Sequence, residues 1–406
     1  MAPWVDNSTI CSLSPNTLFV LGERDRVRGQ AHTQSRLNCS VGFYNVMLIN
    51  IGIELAKVLA VLIGVLNLAA ILTWMERKQS AVMQDRIGAN RATILGFRMF
   101  GLFQILADGL KMFVKEDFIP AEGNRFLHGL APFVAAFFAL VGFAAIPFGS
   151  TVNLFGREIP LQIIDLNVGI LYIFAVMSLG IYGVVLAGWS SNNNYAFLGG
   201  MRGSSQMFSY EVTIGATILG VLMIFESMSL QEIVRAQGAL LWGVIPKWGF
   251  IVQPLGCILF LVAGIAETKR VPFDLPEGES EIIGFFVEYS SMKFGLFMLT
   301  DFVETVLIAA LVTTLFFGGW QVPYLMADGF HFPGGSFLAV PQLLVAILQV
   351  LSYGIKVFFF CWFMLLVRWT LPRFRYDQLM RLGWQMIFPL SILNLLVTAV
   401  VILMWN

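Results

Sequence analysis

The chain has 406 residues, of which 58% are hydrophobic and only 12% charged, and its formal net charge is zero. Soluble domains carry about 25% charged residues, so this composition excludes a soluble enzyme, a disordered chain and a nucleic-acid binder with a basic surface. What remains is an all-α polytopic membrane protein whose chemistry rests on the few polar residues it keeps.

Residues 1–46 are polar, with Arg24, Arg26, Arg28 and Arg36, and lack the apolar core of a signal peptide. They read as an N-terminal extension that is disordered or reflects a misassigned start; 47–406 reads as a single membrane domain. A spanning helix needs about 20 mostly apolar residues. Eight stretches qualify, near 48–75, 129–148, 166–189, 207–225, 248–266, 294–317, 338–367 and 384–405. The first connection, 76–128, holds a further helical pattern from 97 to 115. There Arg98, Gln104, Asp108, Lys111 and Lys115 form one polar stripe among bulky apolar residues. Such an amphipathic helix lies at the interface or packs its stripe on a wet cavity.

Lys and Arg are unevenly spread. The odd connections hold 16 of them and the even ones only Arg157, Arg235 and Lys247. The positive-inside rule then puts the odd loops in the cytoplasm and both termini on the outer, periplasmic side of a cell inner (plasma) membrane. Cys11, Cys39, Cys257 and Cys361 form no C-x-x-C pair and the three His are scattered. The chain therefore predicts no metal site and no redox cofactor of its own.

Acids inside spans are costly and call for a partner or a proton. Glu211 opens the fourth span with no base within eight residues; a structural hydrogen bond and a proton-carrying role both fit it. Asp301 and Glu304 stand three apart in the sixth span, with Lys356 as a candidate counter-charge. The fifth connection is the sharpest signal. Glu267, Asp274, Glu277, Glu279, Glu281 and Glu288 fall within 22 residues that hold only two bases, Lys269 and Arg270. Pro272 and Pro276 forbid a continuous helix. Interleaved Val271, Phe273, Leu275 and Phe285 predict a loop folded back on the protein with its acids partly buried. Crowded, desolvated carboxyls titrate near neutral pH and in a coupled way.

Several ordered motifs resemble one family. They are Glu76 to Asn90, Ala107-Asp108 through Lys115-Glu116, Arg202 through Gln206 to Glu211, Glu267 to Glu281, Glu288-Tyr289-Ser290, and Pro372 to Met380. Together they resemble the membrane H-type subunits of NADH–quinone oxidoreductase, respiratory complex I, over residues 47–406. That resemblance implies eight spans with an amphipathic helix in the first loop. It implies a non-redox subunit of a proton-translocating oxidoreductase that forms the quinone access channel. Quinone would be the substrate, with iron–sulfur clusters, FMN and NADH on partner subunits. The implied partners are soluble quinone-site and iron–sulfur subunits on the cytoplasmic side, small membrane subunits, antiporter-like subunits and the lipid bilayer.

By the same resemblance, Arg77, Arg86, Asp108, Lys115, Arg270 and Asp274 would line or brace the quinone channel. Glu211, Glu267, Glu277, Glu279, Glu281 and Asp301 would form a proton path, and Arg373, Arg375 and Asp377 would anchor the rim. Ala89 and Ile105 stand where the family usually has proline, and Asp301 where it has Glu. A membrane-bound hydrogenase subunit and a stand-alone ion transporter are the rival readings. The latter predicts an internal repeat, and none is evident between the halves.

Overall fold

The structure is a computed structural model that describes residues 23–154, 157–241, 245–278, 281–326, 329–331 and 337–405, with the side chains of 23–46 outside that description. The extension expected at 1–46 therefore lies outside the described residues, apart from the helical backbone of 23–46. The chain divides into two units, Met1–Ala56 and Lys57–Asn406. The first carries the N-terminal part of α1 (Glu23–Met83), and the second carries the rest of α1 and every other element.

The remaining long helices are α3 (Arg125–Val141), α4 (Gly169–Ser190), α5 (Asn194–Phe225), α9 (Ser291–Phe316), α10 (Gln342–Thr370) and α12 (Phe388–Trp405). Shorter ones are α2 (Phe103–Val114), α6 (Leu230–Gln237), α7 (Gly249–Val252), α8 (Pro254–Glu267) and α11 (Tyr376–Arg381). Seven helical segments among the described residues are long and apolar enough to cross a membrane. The stretch expected at 248–266 is the exception. Gln253 breaks it (φ −139°, ψ 65°) ahead of Pro254, leaving α7 as a single turn and α8 with 14 residues, about 21 Å against a hydrocarbon core of about 30 Å. Small antiparallel hairpins, β1–β2 (Thr151–Leu154, Arg157–Pro160), β3–β4 (Leu240–Leu241, Ile245–Pro246) and β5–β7 (Leu325–Met326, Gly329–His331, Phe337–Ala339), close alternate connections.

The core is organised on α9. From Thr300 to Phe316 every side chain is buried, because α3, α8 and α10 all pack on this helix. Its hydroxyls pose no burial problem: Thr300, Thr305, Thr313 and Thr314 each donate to the carbonyl four residues earlier. The outer helices instead expose apolar rows, such as Leu393, Leu396, Val397, Val400 and Leu403 on α12. That is the surface a bilayer or a neighbouring membrane helix would cover.

The amphipathic helix is shorter than the pattern implied. Met99 and Phe100 take positive φ (38° and 55°), so Arg98 lies before α2 and Lys115 is its extended C-cap. Only Gln104, Asp108 and Lys111 of the expected stripe are helical. At 12 residues, about 18 Å, α2 cannot span.

Close packing of α3 on α4 depends on Gly183. A Cβ there would sit 2.7–2.9 Å from the Cβ, N and Cα of Ala135. Gly183→Leu is expected to destabilise the protein by about 1–3 kcal/mol, seen as a lower Tm in detergent. Gly215→Ala, on the open face of α5 with nothing within 4 Å, is expected to leave Tm unchanged or raise it slightly.

Candidate functional site

The fifth connection, between α8 and α9, is folded back on the protein as expected, with Phe273, Asp274 and Leu275 buried. Without helical bonds its carbonyls need other partners. Gln206 of α5 supplies two: its carboxamide donates to Ala266 O (2.7 Å) and Phe273 O (2.8 Å). Phe374 N donates to Pro272 O at 3.0 Å, and the Phe273 and Phe374 rings stack 5.5 Å apart. The loop's far end is knotted by Glu288-Tyr289-Ser290. Glu288 accepts from Asn193, Tyr289 stacks on the buried His128 ring at 4.0 Å, and Ser290 donates to Glu116 O.

This frame delivers charged side chains to the middle of α9. Glu76 of α1 pairs with Arg270 (3.2 Å) and Arg368 (3.0 Å). The Arg270 guanidinium also lies over the Phe302 ring, 3.6 Å from its centroid. Asp274 pairs with Arg373 at 2.7 Å, and Lys269 lies between Asp301 (3.5 Å) and Glu304 (3.2 Å). Glu76, Arg270, Asp274, Glu277, Asp301 and Arg368 line one small chamber of about 150 Å³. Burial raises the pKa of Asp274 despite Arg373 and Arg368. Glu277 has no ion-pair partner within reach among the described residues. Burial, reinforced by the charges of Asp274 and Asp301, pushes its pKa up to about 8.

Two more expected acids stand in line beside the chamber. Glu267, at the end of α8, is buried, and its charged neighbours are Glu211, Glu304 and Lys269. Glu211 accepts a hydrogen bond from Ser178 of α4. Glu281 is away from the chamber, paired with Arg202 at 2.9 Å. Glu279 lies outside the described residues.

The loop-one residues form a separate group. Arg77 pairs with Asp108 at 2.6 Å, and Arg86 bonds Gln84 and Ser80. Arg77, Arg86, Arg91 and Gln104 line an open cleft of about 430 Å³. Lys115 is exposed. Lys356 is not the counter-charge of Asp301 and Glu304: its ammonium donates to the carbonyls of Phe317, Gly319 and Gln321, beyond the end of α9. Lys269 holds that role. Arg373 turns inward to Asp274, while Arg375 and Asp377 pair at the surface, 3.4 Å apart.

The family model described as NADH dehydrogenase matches residues 56–399. Among curated relatives, the second of the NADH-quinone oxidoreductase H-type subunits of Rhizobium meliloti is 43% identical over 356 residues, 87% of this chain and 99% of that protein. The first such subunit of Cytophaga hutchinsonii is 43% identical over 82% of this chain and 92% of its own length. The second of Syntrophobacter fumaroxidans is 44% identical over 89% and 97%. The chain belongs to the family of NADH-quinone oxidoreductase H-type subunits. Taken with its seven apolar helices, that makes it a multi-pass membrane protein.

The family resemblance marked most of the acids, but two structural residues escaped it. Gln206 lay inside a quoted motif without a role, and the His128 partnership with Tyr289 has no sequence signal, since the two are far apart in the chain. Gln206→Leu would remove the side-chain donor from Ala266 O and Phe273 O, each of which keeps a backbone donor, at about 0.5–1.5 kcal/mol per bond. The expected result is a lower Tm and faster proteolysis within 267–290, read by limited digestion of the detergent-solubilised protein.

Proposed function

We propose that the chain is the non-redox, H-type membrane subunit of a proton-translocating NADH–quinone oxidoreductase, where it forms the quinone access channel and couples quinone reduction to proton movement. The names of its relatives support the enzyme. The observation that carries the coupling role is the charge balance beside the middle of α9. Six carboxyls (Glu76, Glu267, Asp274, Glu277, Asp301, Glu304) gather round four cations (Lys269, Arg270, Arg368, Arg373). A buried excess of acid over base is costly unless it is met by protons. The excess is carried as exchangeable protons on these carboxyls, and Glu211 next to Glu267 adds one more acid to the set.

In this reading α7 and α8 together make an eighth span, and α2 is the interfacial helix of the first loop. The odd connections face the cytoplasm, and both termini face the periplasmic side of a bacterial inner membrane. Quinone enters from the bilayer along Arg77, Arg86, Asp108 and Lys115 and meets the wall formed by Arg270 and Asp274. Soluble partner subunits on the cytoplasmic side carry NADH, FMN and the iron–sulfur clusters. Quinone reduction takes up two electrons and two protons. That demand shifts the proton occupancy of Glu277, Asp301, Glu267 and Glu211, with Glu279 and Glu281 toward the rim. The change passes on to small and antiporter-like membrane subunits.

Two measurements test this on the assembled complex in liposomes. Glu211→Gln is expected to leave assembly intact but cut protons moved per quinone reduced by more than half; unchanged translocation removes Glu211 from the path. Glu277 is protonated below about pH 8 and ionised above it. Quinone reductase activity is therefore expected to fall as pH rises through 8, and Glu277→Gln, which stays neutral, is expected to flatten that limb. A limb of the same shape in the variant would assign the titration to another group.

A further inference from the structure

We propose that Lys269 is a positioning residue for the acid path: its ammonium, held between Asp301 and Glu304, fixes how many protons those two carboxyls carry. The inference rests on the reading above, since it concerns the same acids.

Lys269 follows the last turn of α8 with a left-handed backbone (φ 55°). The chain turns there so that a long side chain points inward instead of to the surface. Its Nζ lies 3.5 Å from Asp301 Oδ1, 3.2 Å from Glu304 Oε2 and 3.4 Å from Glu304 Oε1. Only 8% of the side chain is exposed. Burial alone lowers the pKa of an ammonium, but the carboxylates of Glu304 and Asp301 outweigh it and leave Lys269 raised. It stays a cation throughout the physiological range.

The two acids stand one turn apart on the most buried helix, with only 12% and 11% of their side chains exposed, so their charge is poorly solvated. One ammonium against two carboxyls is neutral when the carboxyls share a single proton. Without the ammonium, neutrality needs both protonated. The other charges around the trio do not supply the difference. Glu267, with Glu211 behind it, adds negative charge on the α5 and α8 side. On the other side of Asp301, Arg270 and Arg368 share the one carboxylate of Glu76, which leaves a single positive charge there, and Arg373 is engaged by Asp274. Glu277 adds a further acid beside Asp301. With Lys269 in place, one proton can move across Asp301 and Glu304 while the carboxyl left behind stays paired.

The test compares Lys269→Met, Lys269→Arg and the charge-balanced double variant Lys269→Met with Glu304→Gln, each in the purified complex. Infrared difference spectra across pH report protonated carboxyls, and the pH profile of quinone reduction is recorded in parallel. Lys269→Met is expected to gain about one protonated carboxyl per complex at neutral pH. Its activity profile is expected to move to higher pH by about 1–3 units, the usual reach of one adjacent charge. Lys269→Arg is expected to restore both readouts. The double variant keeps the trio's charge balance, so it is expected to assemble and show no extra protonated carboxyl even if Lys269→Met fails to assemble. No added carboxyl signal in Lys269→Met, or the same added signal in the double variant, overturns the proposal. An added signal with an unshifted activity profile leaves Lys269 assigned and overturns the proton path instead.

Discussion

A carboxyl taken out of water must meet a cation, a proton or a set of hydrogen-bond donors, and this constraint arranges the bundle around the fifth connection. Glu76 on α1 holds Arg270 from the fifth connection and Arg368 from α10. Asp274 holds Arg373 from the segment before α11, and Lys269 joins the fifth connection to α9. The Glu76 and Asp274 pairs link elements that are distant in sequence, and the Lys269 pair ties the fifth connection to the helix that follows it. Breaking one would leave its partner buried and uncompensated, which costs more than the pair itself contributes. Elsewhere the helices meet mostly through apolar surface and close glycine contacts, with single polar links such as Ser178 to Glu211. Here they are registered by charge.

The loop that carries these charges is irregular, and bonds from other elements tie it to the protein. Pro272 and Pro276 deny it helical bonds. Gln206, Phe374 and the Glu288-Tyr289-Ser290 knot replace them from three directions. Irregular backbone away from water is tolerated where the surrounding protein meets its polar groups. Fixing the loop in this way keeps its acids from drifting to water, and so preserves the pKa shift of Glu277.

Much of this was legible before any coordinates. Seven of the eight apolar stretches became helices long enough to span, because length and hydropathy are properties of contiguous sequence. The stretch at 248–266 failed the same test: Gln253-Pro254 interrupts the backbone without lowering the apolar count. The inward folding of the fifth connection followed from its two prolines and interleaved hydrophobics. Partner choice was not legible. Lys356 was the candidate counter-charge of Asp301 and Glu304, with Lys269 placed in the fifth connection, and only the fold decides that Lys356 reaches three carbonyls and Lys269 the two carboxyls. The stacking of His128 on Tyr289 and the split between the loop-one cleft and the chamber were hidden for the same reason.

The position of the acids on α9 follows from its packing. An outer helix that faces lipid can carry an ionisable group only if the side chain reaches a polar terminus. Lys356 on α10 does this by meeting three carbonyls just past the end of α9. A helix surrounded by protein can keep acids near its middle, provided neighbouring elements bring cations or protons to them. α9 is the helix buried from Thr300 to Phe316, and the fifth connection folds back beside it with Lys269 and Arg270. In that connection, burial raises the proton affinity of Asp274 and Glu277, and the nearby arginines lower it again. The balance leaves Glu277 near 8, where a small change in charge at the chamber wall is enough to move a proton.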